Sequence, residues 1–335
     1  MTMTSIGDLA QGLMLRSHGA RLKQMQAVLT AELASGQVAD VAARLGGDLS
    51  HLADIDRSLR RLEGYSVAMG EARLMAGSTQ AGLATVQDAT SELGASLLPI
   101  SGTSPVALRD HAATQAKSVL SVVVGALNTR AAGRSLFAGV ATDRAALAPA
   151  ETILAELKSA VAGAGDATAI AAAAAAWFDD PAGFGASVYG GSDRSLAPVR
   201  IGEGTEVAPT LRADDPVFRD TLRHVALAAL ATDPDLGLDG AGQALLLRGA
   251  GDGLLAGNER ITGLRAALGF TEARIEEAET RNAAARTGLE YARGEILAAD
   301  PYDTATRLQE VQFRLESLYS VTVRASRLSL TEFMR

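Results

Sequence analysis

A heptad repeat that runs unbroken from Ile261 to Ala299 constrains this chain more than any other feature. Its first positions hold Ile261, Leu268, Ile275, Asn282, Leu289 and Ile296, and its fourth positions hold Leu264, Thr271, Ala278, Ala285, Ala292 and Ala299. A helix of that length spans roughly 60 Å at about 1.5 Å per residue. So long an apolar stripe cannot be buried inside one compact domain and needs a long partner. The first ~100 residues read as a second set of long helices able to provide one.

The remaining pattern divides the chain. A first helix is expected over 6–33, with Leu15, Leu22, Met25 and Leu29 on one stripe, ending at Ser35-Gly36. A second is expected from about Asp48 to Leu97, and a third from Pro105 to about Thr129 with Ser104 as its cap. All but three of the nine prolines lie between Val140 and Gly249, where short apolar runs and glycine pairs replace the long periodicity. Helices are expected there at 151–161, 167–178 and 216–232, and strands at 186–189, 198–201 and 207–212. The long helix then follows Gly253, breaks at Asp300-Pro301 and resumes over 304–333 with Leu308, Val311, Leu315, Leu318, Thr322 and Ala325 spaced alternately by three and four. The expected fold is mainly α: an elongated coiled-coil rod of N- and C-terminal helices, 1–139 and 254–335, with a small α+β middle domain at 140–253.

Composition supports rods over thick cores, because only 4% of residues are aromatic against 47% hydrophobic. A net charge of -8 with no concentrated basic face argues against nucleic acid. The Ala171 to Ala176 run is bounded by Asp166, Asp179 and Asp180 and is too short to cross a membrane. The first residues lack the basic start and unbroken apolar core of a cleavable secretory signal, so any export is expected to use another route. Met1 to about Gly7 shows little periodicity and is expected to order only on assembly.

Little points to catalysis. There is no cysteine, and His18, His51, His111 and His224 sit on different elements with no pair at ligand spacing. The sharpest enzyme candidate is Gly249, Gly251 and Gly253 after an apolar run, but a dinucleotide loop wants glycine at 254, where the chain has Leu. A hinge between middle domain and rod fits those glycines better. No catalytic residue, metal ligand or cofactor is expected. Asn282 is the one amide at a first heptad position, where it either fixes register or faces a watery gap.

The C-terminal run from Leu315 to Phe333, LESLYSVTVRASRLSLTEF, resembles the end of the flagellin-like family, most closely on its hook-filament junction branch. Leu127 to Gly139, LNTRAAGRSLFAG, is similar to the family's motif where the third helix leaves the rod, and Leu33 to Gly36 matches the end of its first helix. Leu211 to Phe218 resembles the branch's strand-to-helix step. Gln37 to Asp48 lacks the paired aspartates usual in filament flagellins, and the end lacks their terminal leucine pair. Both departures favour the junction branch, with a filament subunit as the alternative.

The resemblance implies a non-enzymatic structural subunit that is secreted and built into the bacterial flagellum, where its two ends pair and polymerise. The implied partners are a hook-associated neighbour, flagellin, further copies in a ring, and an export chaperone, with no nucleic acid and no membrane. The candidate subunit-packing residues are Leu308, Val311, Leu315 and Leu318 of the last helix with Leu22, Met25 and Leu29 of the first.

Overall fold

The computed structural model describes residues 6–208 and 210–333. The expectation for Met1 to Gly7 falls mainly outside them, as do the side chains from Ala325 onward in the C-terminal motif. Ten α-helices and two short hairpins make up the described residues: α1 (Ile6–Ser35), α2 (Val41–Arg44), α3 (Ser50–Leu97), α4 (Val106–Leu127), β1 (Arg130–Ala131), β2 (Arg134–Ser135), α5 (Ala150–Ala160), α6 (Ala167–Asp179), α7 (Phe184–Ser187), β3 (Val199–Gly202), β4 (Thr205–Val207), α8 (Pro216–Leu230), α9 (Gly240–Leu297) and α10 (Pro301–Phe333). They form two compact units. The first joins the described residues up to Arg61 with those from Ala284 onward; the second is Leu62–Ala283.

The second unit holds the larger core. Leu83, Val86, Leu93 and Leu97 of α3 are fully buried, as are Leu120, Val123 and Leu127 of α4 and Leu222 and Val225 of α8. They share one core with Leu246, Leu247, Leu254 and Ile261 of α9. Its few aromatic residues are concentrated where they bury most area. Phe137 meets Phe218 edge to face at 5.8 Å, and Phe178 stacks on Phe184 at 5.1 Å. A second cluster brings Met69, Ala72 and Ala76 of α3 to Ile275 and Ala278 of α9, with Ile201 and Val207 of the β3–β4 hairpin over them.

The division falls at 61/62 and 283/284, not at the 139/140 and 253/254 boundaries expected from composition. The reason is that α3, α4 and α9 supply much of the wall of the central core, so they cluster with the segment between them. The glycines at 249, 251 and 253 are likewise no hinge and no nucleotide loop, because they lie within the unbroken helix α9. Glycine there permits close approach. A Cβ on Gly251 would stand 3.0 Å from the Gly94 carbonyl, and one on Gly253 would stand about 2.1 Å from His224 Nε2.

Other expectations shift locally. Residues 186–189 are not a strand: α7 occupies 184–187, and Tyr189 makes an isolated bridge to Leu147. The third expected strand, 207–212, is displaced: β4 spans Thr205–Val207 and shares only Val207 with it. Ser104 does not cap α4; its hydroxyl accepts from the Ser101 amide at 3.0 Å, and Pro105 holds the cap position without a side-chain hydrogen bond. The β1–β2 hairpin was not expected. Its two-residue turn, Ala132 at φ 48° and Gly133 at φ 77°, has the left-handed pair that tight hairpins require.

Candidate assembly surface

In the first unit, α1 and α10 pair through a narrow apolar seam. Leu29 is 7% exposed, Val311 5% and Leu315 6%, and Leu22 and Leu308 pack against them half-buried. On α10 the buried positions Thr304, Val311 and Leu315 and the half-buried Leu308 and Leu318 alternate by four and three residues, the spacing that keeps one helix face on a partner. The series ends there, since Thr322 is exposed. Midway along α1, Gly19 has only hydrogen where Leu318 crosses, and a Cβ there would lie 3.4 Å from Leu318 Cδ2. Beside it, Lys23 Nζ sits 5.8 Å from the centre of the Tyr319 ring.

At the other end of the seam, where α1 finishes and α10 begins, the turns are tied together by backbone. Gln37 and Ala298 form an antiparallel bridge, the Val38 amide donates to the Leu297 carbonyl at 2.9 Å, and the Ala299 amide donates to the Gly36 carbonyl at 2.9 Å. Gly36 lies at φ 69°, where a helix commonly ends in a left-handed residue. The Glu32 carboxylate turns back to accept the Ala39 amide at 2.8 Å. Arg293 of α9 adds an ion pair to Asp56 of α3 at 3.0 Å. The heptad of α9 therefore reaches its end one step early, because Ala299 belongs to this backbone bridge rather than to the helix.

This geometry redefines the candidate packing residues. Leu22, Leu29, Leu308, Val311 and Leu315 are packed together within one chain, and Leu318 lies against Gly19 in the same seam. Met25 is outside the cluster, 42% exposed at its margin. Sequence periodicity could find the stripe but not its partner, because a stripe looks the same whether it faces its own chain or another.

What the seam leaves uncovered is apolar too. Leu13 of α1 is 70% exposed, and Tyr302 and Phe313 of α10 are 83% and 69% exposed. At about 100° per residue, Leu13 stands about 160° around α1 from Leu29, and Phe313 about 160° around α10 from Leu315. Tyr302 and Phe313, eleven residues apart, fall within about 20° of one another. The best-filled stripe of each helix does not include these outward residues; isolated large apolar residues on otherwise polar faces are their sequence signal.

The two motifs of the second unit meet. The Ala213 amide donates to the Phe137 carbonyl at 2.9 Å, and the Phe137 ring contacts the Phe218 ring. Gly139, at φ 60°, has no room for a side chain: a Cβ would come within 2.4 Å of the Arg194 carbonyl oxygen. Arg212 pairs with Asp214 at 2.9 Å, while Asp215 Oδ2 accepts the Arg212 amide at 2.9 Å. Burial pushes the Asp215 carboxyl above its ordinary pKa despite that hydrogen bond, and burial with the nearby Asp214 pushes the Tyr189 phenol up as well. These groups fix a fold. Asn282 donates to the Leu62 carbonyl at 3.0 Å, and its own carbonyl oxygen is buried without a partner.

Among the described residues no group of three or more His, Cys, Asp or Glu is placed to hold a metal ion, and no helix is long and apolar enough to cross a membrane. Residues 256–334 match the family model of the bacterial flagellin C-terminal helical region. The C-terminal part of this mainly helical chain is thus similar to the flagellin C-terminal helical region. The chain shares the fold of the Bacillus cereus FlgL crystal structure at a TM-score of 0.51 and 14% identity over 72% of this chain and 100% of that one. A structure described as a flagellar hook-associated protein from Vibrio parahaemolyticus aligns at 14% identity over 73% of this chain and 95% of that one, with a TM-score of 0.49. No curated protein matches the sequence.

Proposed function

We propose that this chain is a structural subunit of the bacterial flagellum that joins hook to filament, acting by helix packing and not by catalysis. The observation that carries this reading is the pairing of α1 with α10 in a chain whose residues 256–334 match the flagellin C-terminal region, with large apolar residues left on the outward faces of both helices. The inner seam joins the two ends of one subunit. The outward residues Leu13, Tyr302 and Phe313, with Met25 at the margin, meet neighbouring copies in a ring, a hook-associated neighbour on one side and flagellin on the other. Burying each is worth about 1.5–3 kcal/mol, enough in aggregate to drive assembly. Before assembly such faces need cover, which an export chaperone supplies on the way to secretion.

A filament subunit is the alternative reading, and the match to the flagellin C-terminal region favours it specifically. Deletion separates the two. Cells lacking a junction subunit build hooks and release flagellin monomers into the medium; cells lacking the filament subunit build hooks and release none.

A further inference from the structure

A cavity of about 180 Å³ lies in the second unit between α3, α9, β2 and the β3–β4 hairpin. Its walls are apolar where α3 and α9 face it, through Ala72, Ala76, Ala267, Leu268 and Ile275, with Val207 of the hairpin closing one side. Alanine at three of these positions makes the space. Two of the three wall threonines offer it little polarity, since the Thr79 hydroxyl donates to the Met75 carbonyl at 2.8 Å and the Thr271 hydroxyl to the Ala267 carbonyl at 3.2 Å. An apolar cavity of about 150 Å³ can stay dry and hold a benzene-sized molecule, so this one has room for a ring or a short alkyl chain.

The polar groups of the wall come from β2. Arg134 lines the cavity and is solvent-exposed, which places it at the rim, and its guanidinium makes no hydrogen bond or ion pair with any described residue. Next to it, Ser135 is 1% exposed and its hydroxyl has no hydrogen-bond partner. Most other cations in this acidic unit are answered by a carboxylate or carbonyl, as Arg212 is by Asp214, Arg260 by Asp220 and Arg274 by the Glu206 carbonyl; Lys117, Arg194 and Arg248 share Arg134's lack of a side-chain partner among the described residues. A planar fork of donors beside an apolar space suits a carboxylate attached to an apolar body.

The geometry points to a binding site for a small amphipathic monocarboxylate, its carboxylate on Arg134 and Ser135 and its alkyl or aryl body between α3 and α9. A neutral molecule of the same shape would gain the apolar burial but not the ionic hydrogen bonds. An amine would meet the arginine charge with its own.

Calorimetric titration of the full chain with octanoate, octan-1-ol and octylamine tests this. Octanoate is expected to bind at one site about tenfold or more tighter than octanol, with octylamine weakest. Arg134→Gln should remove that preference while leaving octanol unchanged, and Ser135→Ala should weaken octanoate by a smaller factor. Ala76→Leu, which fills the cavity, should abolish binding of both; Ala267→Leu does the same from a more open wall if the first variant misfolds by circular dichroism. Three results would each overturn the inference: no octanoate binding at millimolar concentration, octanoate binding that Arg134→Gln leaves intact, or binding that survives a folded cavity-filling variant. Octanoate binding that appears only with self-association of the chain, read by light scattering, would also overturn it by assigning the site to an interface between copies.

Discussion

The two units of this chain bury their apolar residues in opposite styles. In the second unit the core is several helices thick, and Phe137, Leu83, Leu120 and Leu222 have no exposure at all. In the first unit the buried cluster is Leu29, Val311 and Leu315, with Leu22 and Leu308 beside it, along a seam one residue wide. A seam that thin leaves half of each helix to the solvent. The thick core specifies a fold by itself, whereas the thin one leaves apolar residues on its outer faces for something else to cover.

The largest expected effect breaks the thick core. Phe137→Ala removes a ring with no exposure and its edge contact with Phe218, and should cost about 3–5 kcal/mol in urea or thermal unfolding of the second unit. Hydrogen exchange on α1 and α10 should change far less. An equal loss of protection in both units would mean that they do not differ as described.

Leu315→Asp makes the converse test. It forfeits about 2 kcal/mol of burial and places an unpaired carboxylate in the seam. Hydrogen exchange should speed across α1 and α10 while the main unfolding transition of the second unit stays in place. A main transition lowered as far as in Phe137→Ala would merge the two units into one cooperative body.

Acid should weaken the thick core through His224. Its Nδ1 lies 2.7 Å from the Asp220 carbonyl and its ring covers the bare backbone of Gly253. Burial, with Arg223 adding to it, holds the imidazole below its ordinary pKa. In the unfolded chain His224 protonates near about pH 6.5, while the native ring stays neutral, so the unfolded state binds more protons and stability falls as pH drops below that value. His224→Gln should flatten the dependence of unfolding midpoint on pH between about 7 and 5. An unchanged slope would remove His224 from the account. The smallest effect belongs to the exposed Glu316: Glu316→Gln should shift stability by less than about half a kcal/mol in the same assays.

Much of this contrast was legible in the sequence. The heptad of α9 put Ile261, Ile275 and Ala278 on one face, and all three are buried. The three-and-four spacing on α10 put Val311 and Leu315 in the seam. Two kinds of information were not local enough to read. Glycine marks both hinges and close helix crossings, and only the neighbours Gly94 and His224 show that Gly251 and Gly253 are crossings. An apolar stripe likewise does not name its partner, and the sequence could not show that Val311 and Leu315 pack on Leu29 of the same chain. The β1–β2 hairpin escaped because a two-residue strand has no periodicity to detect, although Ala132-Gly133 was its turn.

The central claim is that the inner seam is closed within each subunit while the outward faces are covered only in the assembly. The chain has no cysteine, so single cysteines report on chosen positions without background. Maleimide labelling of Leu315→Cys, Leu13→Cys and Phe313→Cys should be compared between free monomer and isolated flagella. The account predicts that Leu315→Cys is protected in both states, and that Leu13→Cys and Phe313→Cys label fully in the monomer and become protected on assembly. Equal labelling of Leu13→Cys and Phe313→Cys in the two states, or protection of Leu315→Cys only in the assembly, would contradict it.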